Sequence, residues 1–428
     1  MSNSEIIKAD ICIIGAGLAG LAATLFAADR GLACVTVGQT GEINFTTGFL
    51  DLLGVHPAVE RHTWKDPWAG IDALVRDNPE HPYARLTKED IREAFEETLN
   101  LLQAAGLPYE RQIHRNSSVL TSLGTLKPTY CVPHTMWQGV KALKKKPACL
   151  LVDFQGHKGF SARQIAAALE PGWPDLRTVR VSFPETDHFN EVFAEHMARA
   201  LILPQTRDKF VRTLQPHIKE AQIIGLPAML GLYRTQEVFT ELQKTIGVPL
   251  FEIPTIPPSV PGLRLKDAFE RGLRTKSVQY FSQRRVVAVR HRTDAGFEVD
   301  IGQNDAERTV RCRGVVLASG RFIGGGLHAD RKRVRETVFD LPVYQPDNRA
   351  GWHRRDFLDS RGHLLNLAGV EIDESFRPLN SSRQPAFENL FAAGSILAHQ
   401  DWMRMKCGSG LAIATAYAAV QNYLATQP

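Results

Sequence analysis

The chain has 428 residues, with 51 lysines and arginines against 46 aspartates and glutamates and a net charge of +5. Its 43% hydrophobic and 23% charged residues are ordinary for a globular protein of two or three domains, which excludes collagen-like, disordered and disulfide-scaffold classes. A charge excess this small does not by itself argue for nucleic acid, and a locally basic face toward an acidic partner or a phosphate stays open.

From Ile11 to Ala28 the chain carries no charge, the length of a signal peptide or membrane span. Glu5, Lys8 and Asp10 before it, and Asp29 and Arg30 straight after, fit neither. The run instead divides into a buried strand at Ala9–Ile14 (ADICII), the turn Gly15-Ala16-Gly17-Leu18-Ala19-Gly20, and an alanine-rich helix ending near Gly31. A second apolar strand follows at Leu32–Val37. This is a βαβ unit. Gly15 allows the tight turn, Gly17 lets a phosphate approach the backbone, and Gly20 lets helix and strand pack closely. The helix N-terminus then offers unpaired N–H groups and a positive dipole end.

Leu86–Ala105 reads as an amphipathic helix, opened by a Thr87/Asp90 capping box and closed by Gly106 and Pro108. Strand-like runs at Ala148–Phe154, Thr178–Phe183 and Ala221–Leu226 alternate with helical ones at Ser161–Leu169, Phe189–Leu203 and Phe210–Glu220. The middle of the chain is therefore α/β. Pro254–Pro261 (PTIPPSVP) predicts an extended loop, either a linker or a rigid cover over a site. Val278–Arg290, Gly296–Ile301 and Arg308–Leu317 form three strand-like runs, the last delivering the turn Ala318-Ser319-Gly320. Asn389–Ser395 is another strand into a glycine turn, and Gly408-Ser409-Gly410 opens an alanine-rich helix to about Leu424. Cys12, Cys34, Cys131, Cys149, Cys312 and Cys407 form no C-x-x-C pair, so reduced cysteines are expected, with neither a metal nor an iron–sulfur cluster held by this chain.

The N-terminal glycine motif, the late meander ending in ASG and the AAGS and GSGLA segments together resemble the two-part flavin domain of flavoprotein oxidoreductases. The fold expected is α/β, a Rossmann-like flavin domain in two parts, 1–85 and 276–428, with an inserted α/β domain at 86–275. More specifically, NFTTGFLDLLG (Asn44–Gly54), LGTLKPTY (Leu123–Tyr130), TIPPSVPGLRL (Thr255–Leu265), VVLASGRFIGGGL (Val315–Leu327) and NLFAAGSIL (Asn389–Leu397) make the chain similar, essentially end to end, to the B subunits of anaerobic glycerol-3-phosphate dehydrogenases. That resemblance implies an FMN flavoprotein in a three-part enzyme that oxidises sn-glycerol 3-phosphate to dihydroxyacetone phosphate. The A subunit would be the larger, FAD-containing catalytic partner. The C subunit would carry iron–sulfur clusters and the membrane attachment, passing electrons to quinone and on to fumarate or nitrate. The chain itself would then sit peripherally on the cytoplasmic side of the inner membrane. The alternatives are a stand-alone flavin enzyme of 3-ketosteroid or fumarate-reductase type and a cofactor-poor scaffold for the A subunit.

The candidate flavin contacts are Gly15, Gly17, Gly20, Gln39, Thr46, Thr47, Gly320, Gly394, Ser395, Gly408, Ser409 and Gly410. Dinucleotide folds place an acid about 20 residues past the glycines to grip the adenosine ribose. Here Gly38-Gln39-Thr40 follows the second strand and Glu42 comes late, which suits FMN, with FAD the alternative. Ser395 stands where a carboxylate often faces the ribityl chain. His399, between AAGS and GSGLA, is the candidate base, and Arg264 the candidate phosphate ligand, with a structural salt bridge as its competing reading. Lys141–Lys146 reads as a solvated helix end, and Arg331–Arg335 as a solvated run or a docking surface for an acidic partner.

Overall fold

The computed structural model describes residues 5–39, 41–186, 188–293 and 296–427. The chain forms two compact units, one of Met1–Glu42, Asp51–Asn100 and Glu270–Pro428, the other of Ile43–Leu50 and Leu101–Phe269.

The first unit is built on a seven-stranded sheet. β1 (Glu5–Ile14) is central, pairing in parallel with β2 (Cys34–Gly38) on one side and with the strand Arg308–Leu317 on the other. Ile11–Ile14 are all buried, as expected of a parallel strand covered on both faces. The helix α1 (Leu18–Asp29) connects β1 to β2, with Ala19–Ala27 buried all round. A helix apolar on every side must be enclosed, and α1 packs against the equally buried helix Gly408–Ala425. Phe26 meets Tyr417 edge-on at 5.3 Å, and full burial of such a ring is worth about 1.5–3 kcal/mol. The strands Arg285–Arg292, Gly296–Gly302 and Arg308–Leu317 form the expected antiparallel meander. Past Cys312 the last of these leaves the meander, and Leu390–Ala392 pairs in parallel beside Val315–Leu317.

The run Val278–Arg290, read from the sequence as one strand, is two. Val278–Ser282 pairs in parallel with β2, and Gln283, at φ +58°, turns the chain before Arg285–Arg292 enters the meander. The capping box forms as expected: Thr87 Oγ1 accepts from Asp90 N at 3.1 Å, and Thr87 N donates to Asp90 Oδ2 at 3.1 Å.

The second unit holds a four-stranded parallel sheet in the order Leu250–Ile253, Ile223–Pro227, Cys149–Phe154, Leu176–Val181. Leu150, Val152 and Phe154 pack into one apolar cluster, while Cys149 and Leu151 pack into another. Alternating side chains thus feed the two faces of the sheet. The helix expected at Phe189–Leu203 is shorter, Ala194–Ala200. The proline-rich segment ends sooner than expected, because the helix Val260–Arg274 begins within it. Pro261 is tolerated there because the first turn of a helix needs no N–H from it.

Candidate cofactor site

Strand register brings the glycine turns together. Ile14 lies opposite Val37 and Leu317, and Leu317 opposite Ala392, so four parallel strands end at one edge of the sheet. The turns that follow are Gly15–Gly17, Gly38-Gln39, Ala318–Gly320 and Ala393–Ser395. In open α/β sheets this carboxyl edge is where ligands bind.

The glycines do different work. Gly15, at φ +134°, approaches the Ala318 turn so closely that a Cβ would lie 2.0 Å from the Ala318 carbonyl oxygen. A Cβ on Gly20 would lie 1.9 Å from the Gly15 carbonyl oxygen. Both positions exclude any side chain through packing alone. Gly17 differs: it is the N-cap of α1, no side chain caps the helix, and a Cβ there would meet nothing within 4 Å. Open space beside an uncapped helix N-terminus is the cradle an anionic phosphate needs.

On the opposite side of β1, Gly320 (φ +71°) places its would-be Cβ 3.7 Å from Ser395 Oγ, and Gly394 (φ +81°) would touch Ala19 of α1. Gly394 N donates to Thr415 Oγ1 at 2.8 Å, tying this turn to the C-terminal helix. Two buried polar atoms flank Gly320 without a hydrogen-bond partner, Ser319 Oγ and Arg321 Nε. Orphaned groups are rare in native interiors unless something further satisfies them, and here they fit a polar cofactor. Burial pushes the Glu42 carboxyl above its ordinary range, opposed by the charge of Arg321.

The remaining expected contacts have the following surroundings. Gln39 is exposed at the end of β2. Gly410 N donates to Asp51 O at 2.6 Å, and a Cβ on Gly410 would crowd both Asp51 O and the Tyr83 hydroxyl. Ser409 Oγ accepts from Asp51 N at 2.5 Å. A Cβ on Gly408 would strike the Trp402 ring. Gly408 and Gly410 thus serve close packing of the first turn of the C-terminal helix. Cys407, just before it, is buried, and burial drives its thiol pKa up, so it is no activated nucleophile. Thr46 and Thr47 belong to the second unit. There Thr46 Oγ1 donates to Ile43 O at 3.0 Å, and its carbonyl accepts from Ser259 Oγ.

His399 sits in a left-handed backbone conformation, φ +63°. Its Nε2 lies 3.0 Å from Glu371 Oε1, and its ring packs against Tyr344 at 4.1 Å. Asn78 Nδ2 donates to its carbonyl at 3.1 Å. Glu80, Glu371 and His399 bring their ligand-type atoms within 4.8 Å of one another. His81 is fully buried, its Nδ1 accepts from Tyr83 N at 3.1 Å, and burial lowers its pKa to about 3. Neither Glu371 nor Tyr344 is visible as a partner in the sequence, because each is supplied by a separate loop.

Arg264 is 3% exposed. Its Nη1 and Nη2 donate to Glu252 at 2.5 and 2.9 Å, and its Nε to Gly231 O at 2.8 Å. Glu252 also accepts from Thr135 Oγ1 and from the backbone N of Met229 and Leu230, each at 2.7 Å. The guanidinium holds the Glu252 carboxyl below the ordinary range against the opposing effect of burial. This geometry corrects the phosphate-ligand reading: Arg264 is one half of a buried structural ion pair.

Among the described residues, no helix is long and apolar enough to cross a membrane. All six cysteines are free and buried.

Comparison with known proteins agrees with this geometry. A family model described as FAD binding domain matches residues 10–411. A protein named as the B subunit of anaerobic glycerol-3-phosphate dehydrogenase, from Yersinia pseudotuberculosis serotype I (strain IP32953), is 29% identical, over 96% of this chain and 96% of its own. The protein of the same name from Vibrio vulnificus (strain YJ016) is 27% identical, over 96% of this chain and 95% of its own. Among solved structures, a 3-ketosteroid-delta4-(5alpha)-dehydrogenase from Rhodococcus jostii RHA1 aligns over 100% of this chain and 99% of that one, at 13% identity and a TM-score of 0.42.

Proposed function

The chain belongs to the FAD binding domain family, and from that premise we propose that it is the flavin-carrying B subunit of an anaerobic sn-glycerol-3-phosphate dehydrogenase. The observation that carries the flavin half of this reading is the convergence of Gly15–Gly17, Ala318–Gly320 and Gly394-Ser395 at one sheet edge, with open space at Gly17 and unpaired polar atoms beside Gly320. The enzyme half rests on end-to-end similarity to proteins carrying that name.

A bound flavin supplies the two-electron acceptor for oxidation of an alcohol to a ketone. The uncapped N-terminus of α1 would hold its phosphate, and the first turn of the helix Gly408–Ala425 would set positive potential nearby. Ser319 and Ser395 would supply hydrogen bonds. Were this chain to turn over by itself, His399, oriented by Glu371, is the group suited to take a proton from the alcohol, since a carboxylate on one ring nitrogen fixes the imidazole and leaves the other for proton transfer. The family description names FAD. The exposed Gln39, in place of a ribose-binding carboxylate at the end of β2, is the specific observation in favour of FMN.

In this reading the chain works with two partners. One is the catalytic, FAD-containing A subunit; the other is an iron–sulfur C subunit that attaches the complex to the membrane and delivers electrons to quinone. The iron–sulfur relay is assigned to the C subunit because no two of this chain's cysteines form a C-x-x-C pair. The test is a dye-reduction assay with glycerol 3-phosphate on this chain alone, on the isolated A subunit, and on the two mixed. Turnover is expected from the mixture and little from this chain alone. Full turnover by this chain alone overturns the division of labour.

A further inference from the structure

We propose that Arg321 sets the reduction potential of the flavin, as a fixed positive charge held against the Ser319-Gly320 turn without a direct ion pair among the described residues. This rests on the flavin reading above and adds the residue that tunes the bound ring.

Three arginines lie deepest among the described residues. Arg264, 3% exposed, is matched by Glu252, and Arg207, 7% exposed, reaches Glu241 at 2.7 Å. Arg321 is 8% exposed, and among the described residues no carboxylate oxygen lies within the 4.0 Å of an ion pair. Its Nη1 and Nη2 donate to neutral carbonyls, Asn366 O at 2.6 Å and Leu365 O at 2.7 Å. Its Nε has no partner. The nearby Asp401 is already engaged by Arg404 at 3.1 Å and by Asn366 Nδ2 at 3.0 Å.

Among the described residues Arg321 thus has no carboxylate in ion-pair contact, only the more distant charges of Glu42 and Asp401. A buried charge so weakly matched is unfavourable, so folding alone gives little reason to place one here. The position gives the reason. Arg321 follows the turn that packs on Gly15 and faces Ser395, where the cofactor-binding turns meet. The two carbonyls orient the guanidinium without neutralising it. A cation of fixed orientation in a low-dielectric site favours whichever redox state of a neighbouring group carries more negative charge. Reduction of a flavin adds that charge, so Arg321 makes the flavin easier to reduce.

The experiment is an equilibrium redox titration, against dyes of known potential, of the purified chain and of Arg321→Gln, Arg321→Met and Arg321→Lys, with flavin content measured first. Two neutral variants are used because an apolar replacement of a buried charge is often well tolerated where a polar one is not. The neutral variants are expected to keep their flavin and to shift to lower potential. The oxidised-to-reduced ratio at the wild-type midpoint should rise about tenfold, roughly 30 mV for a two-electron couple. Arg321→Lys should recover most of the shift. Flavin-loaded neutral variants at the wild-type potential overturn the proposal and leave the flavin reading standing. Folded neutral variants that lose the flavin, with Arg321→Lys also empty, make Arg321 an anchor and likewise overturn the tuning role. A wild-type chain that folds yet takes up no flavin overturns the reading beneath it.

Discussion

Gly17→Val and Gly20→Ala form a pair that separates cofactor binding from packing. At Gly17 a Cβ meets no atom within 4 Å, so a side chain meets no steric bar at its first atom. The penalty left is the poorer helix capping of valine relative to glycine, on the order of 1 kcal/mol or less. The branched side chain does fill the space at the uncapped N-terminus of α1, where the phosphate is expected. Loss of one well-made anion site should weaken flavin binding at least tenfold, about 1.4 kcal/mol. At Gly20 the balance reverses. A methyl group 1.9 Å from the Gly15 carbonyl oxygen cannot be accommodated without separating α1 from the end of β1, and overpacking of this kind costs about 1–3 kcal/mol or more. The assay is flavin absorbance per chain after desalting, alongside denaturant unfolding of each variant. Gly17→Val should fold normally and lose its flavin, while Gly20→Ala should be destabilised. A Gly17→Val protein with full flavin content would refute the phosphate placement, and a Gly20→Ala protein of undiminished stability would refute the packing argument.

Three further outcomes follow from the same geometry. Arg264→Ala leaves Glu252 buried with its charge unmatched and should cost about 3–5 kcal/mol in denaturant unfolding; normal stability with lost activity would instead return Arg264 to the substrate. His81 is held neutral, with a pKa of about 3 against an ordinary 6.5, so the unfolded chain binds the extra proton between those values. Stability should therefore fall as pH drops from 6.5 toward 3, and His81→Gln should flatten that slope in pH-dependent unfolding, an unchanged slope counting against it. Since no described helix can cross a membrane, the chain made without its partners should wash from membranes in high salt or alkali, and retention there would contradict attachment through partners.

The parts of this protein that are legible from sequence are those whose cause is local. The βαβ unit can be read because its turn needs glycine at fixed offsets, and the registers of β1 and Arg308–Leu317 then carry Ala318–Gly320 to the same edge. The Thr87/Asp90 capping box and the C-terminal helix are legible for the same reason: both are set within a few residues. What stays hidden depends on distant partners. Arg264 takes its structural role only once Glu252, on another element, comes within 2.5 Å. The Glu371 partner of His399, 28 residues earlier, arrives through a loop without periodicity. Val278–Arg290 reads as one strand because one half is aromatic and the other valine-rich, both strand-favouring; the left-handed Gln283 that divides them has no marker in sequence. Nor does the sequence show that Trp402 packs on Gly408, or that Asp51 packs on Gly410. A lone arginine after a glycine turn, such as Arg321, is unremarkable until its surroundings show two carbonyl acceptors and, among the described residues, no carboxylate in ion-pair contact.

The central claim is that this chain holds a flavin at the sheet edge formed by Gly15–Gly17, Ala318–Gly320 and Gly394-Ser395. Its most direct test is the visible absorption spectrum of the purified chain, followed by acid release and chromatography of the chromophore. The account predicts flavin bands at one flavin per chain, released as FMN or FAD and absent in Gly17→Val. A folded, colourless wild-type chain that stays colourless after incubation with both flavins would contradict it.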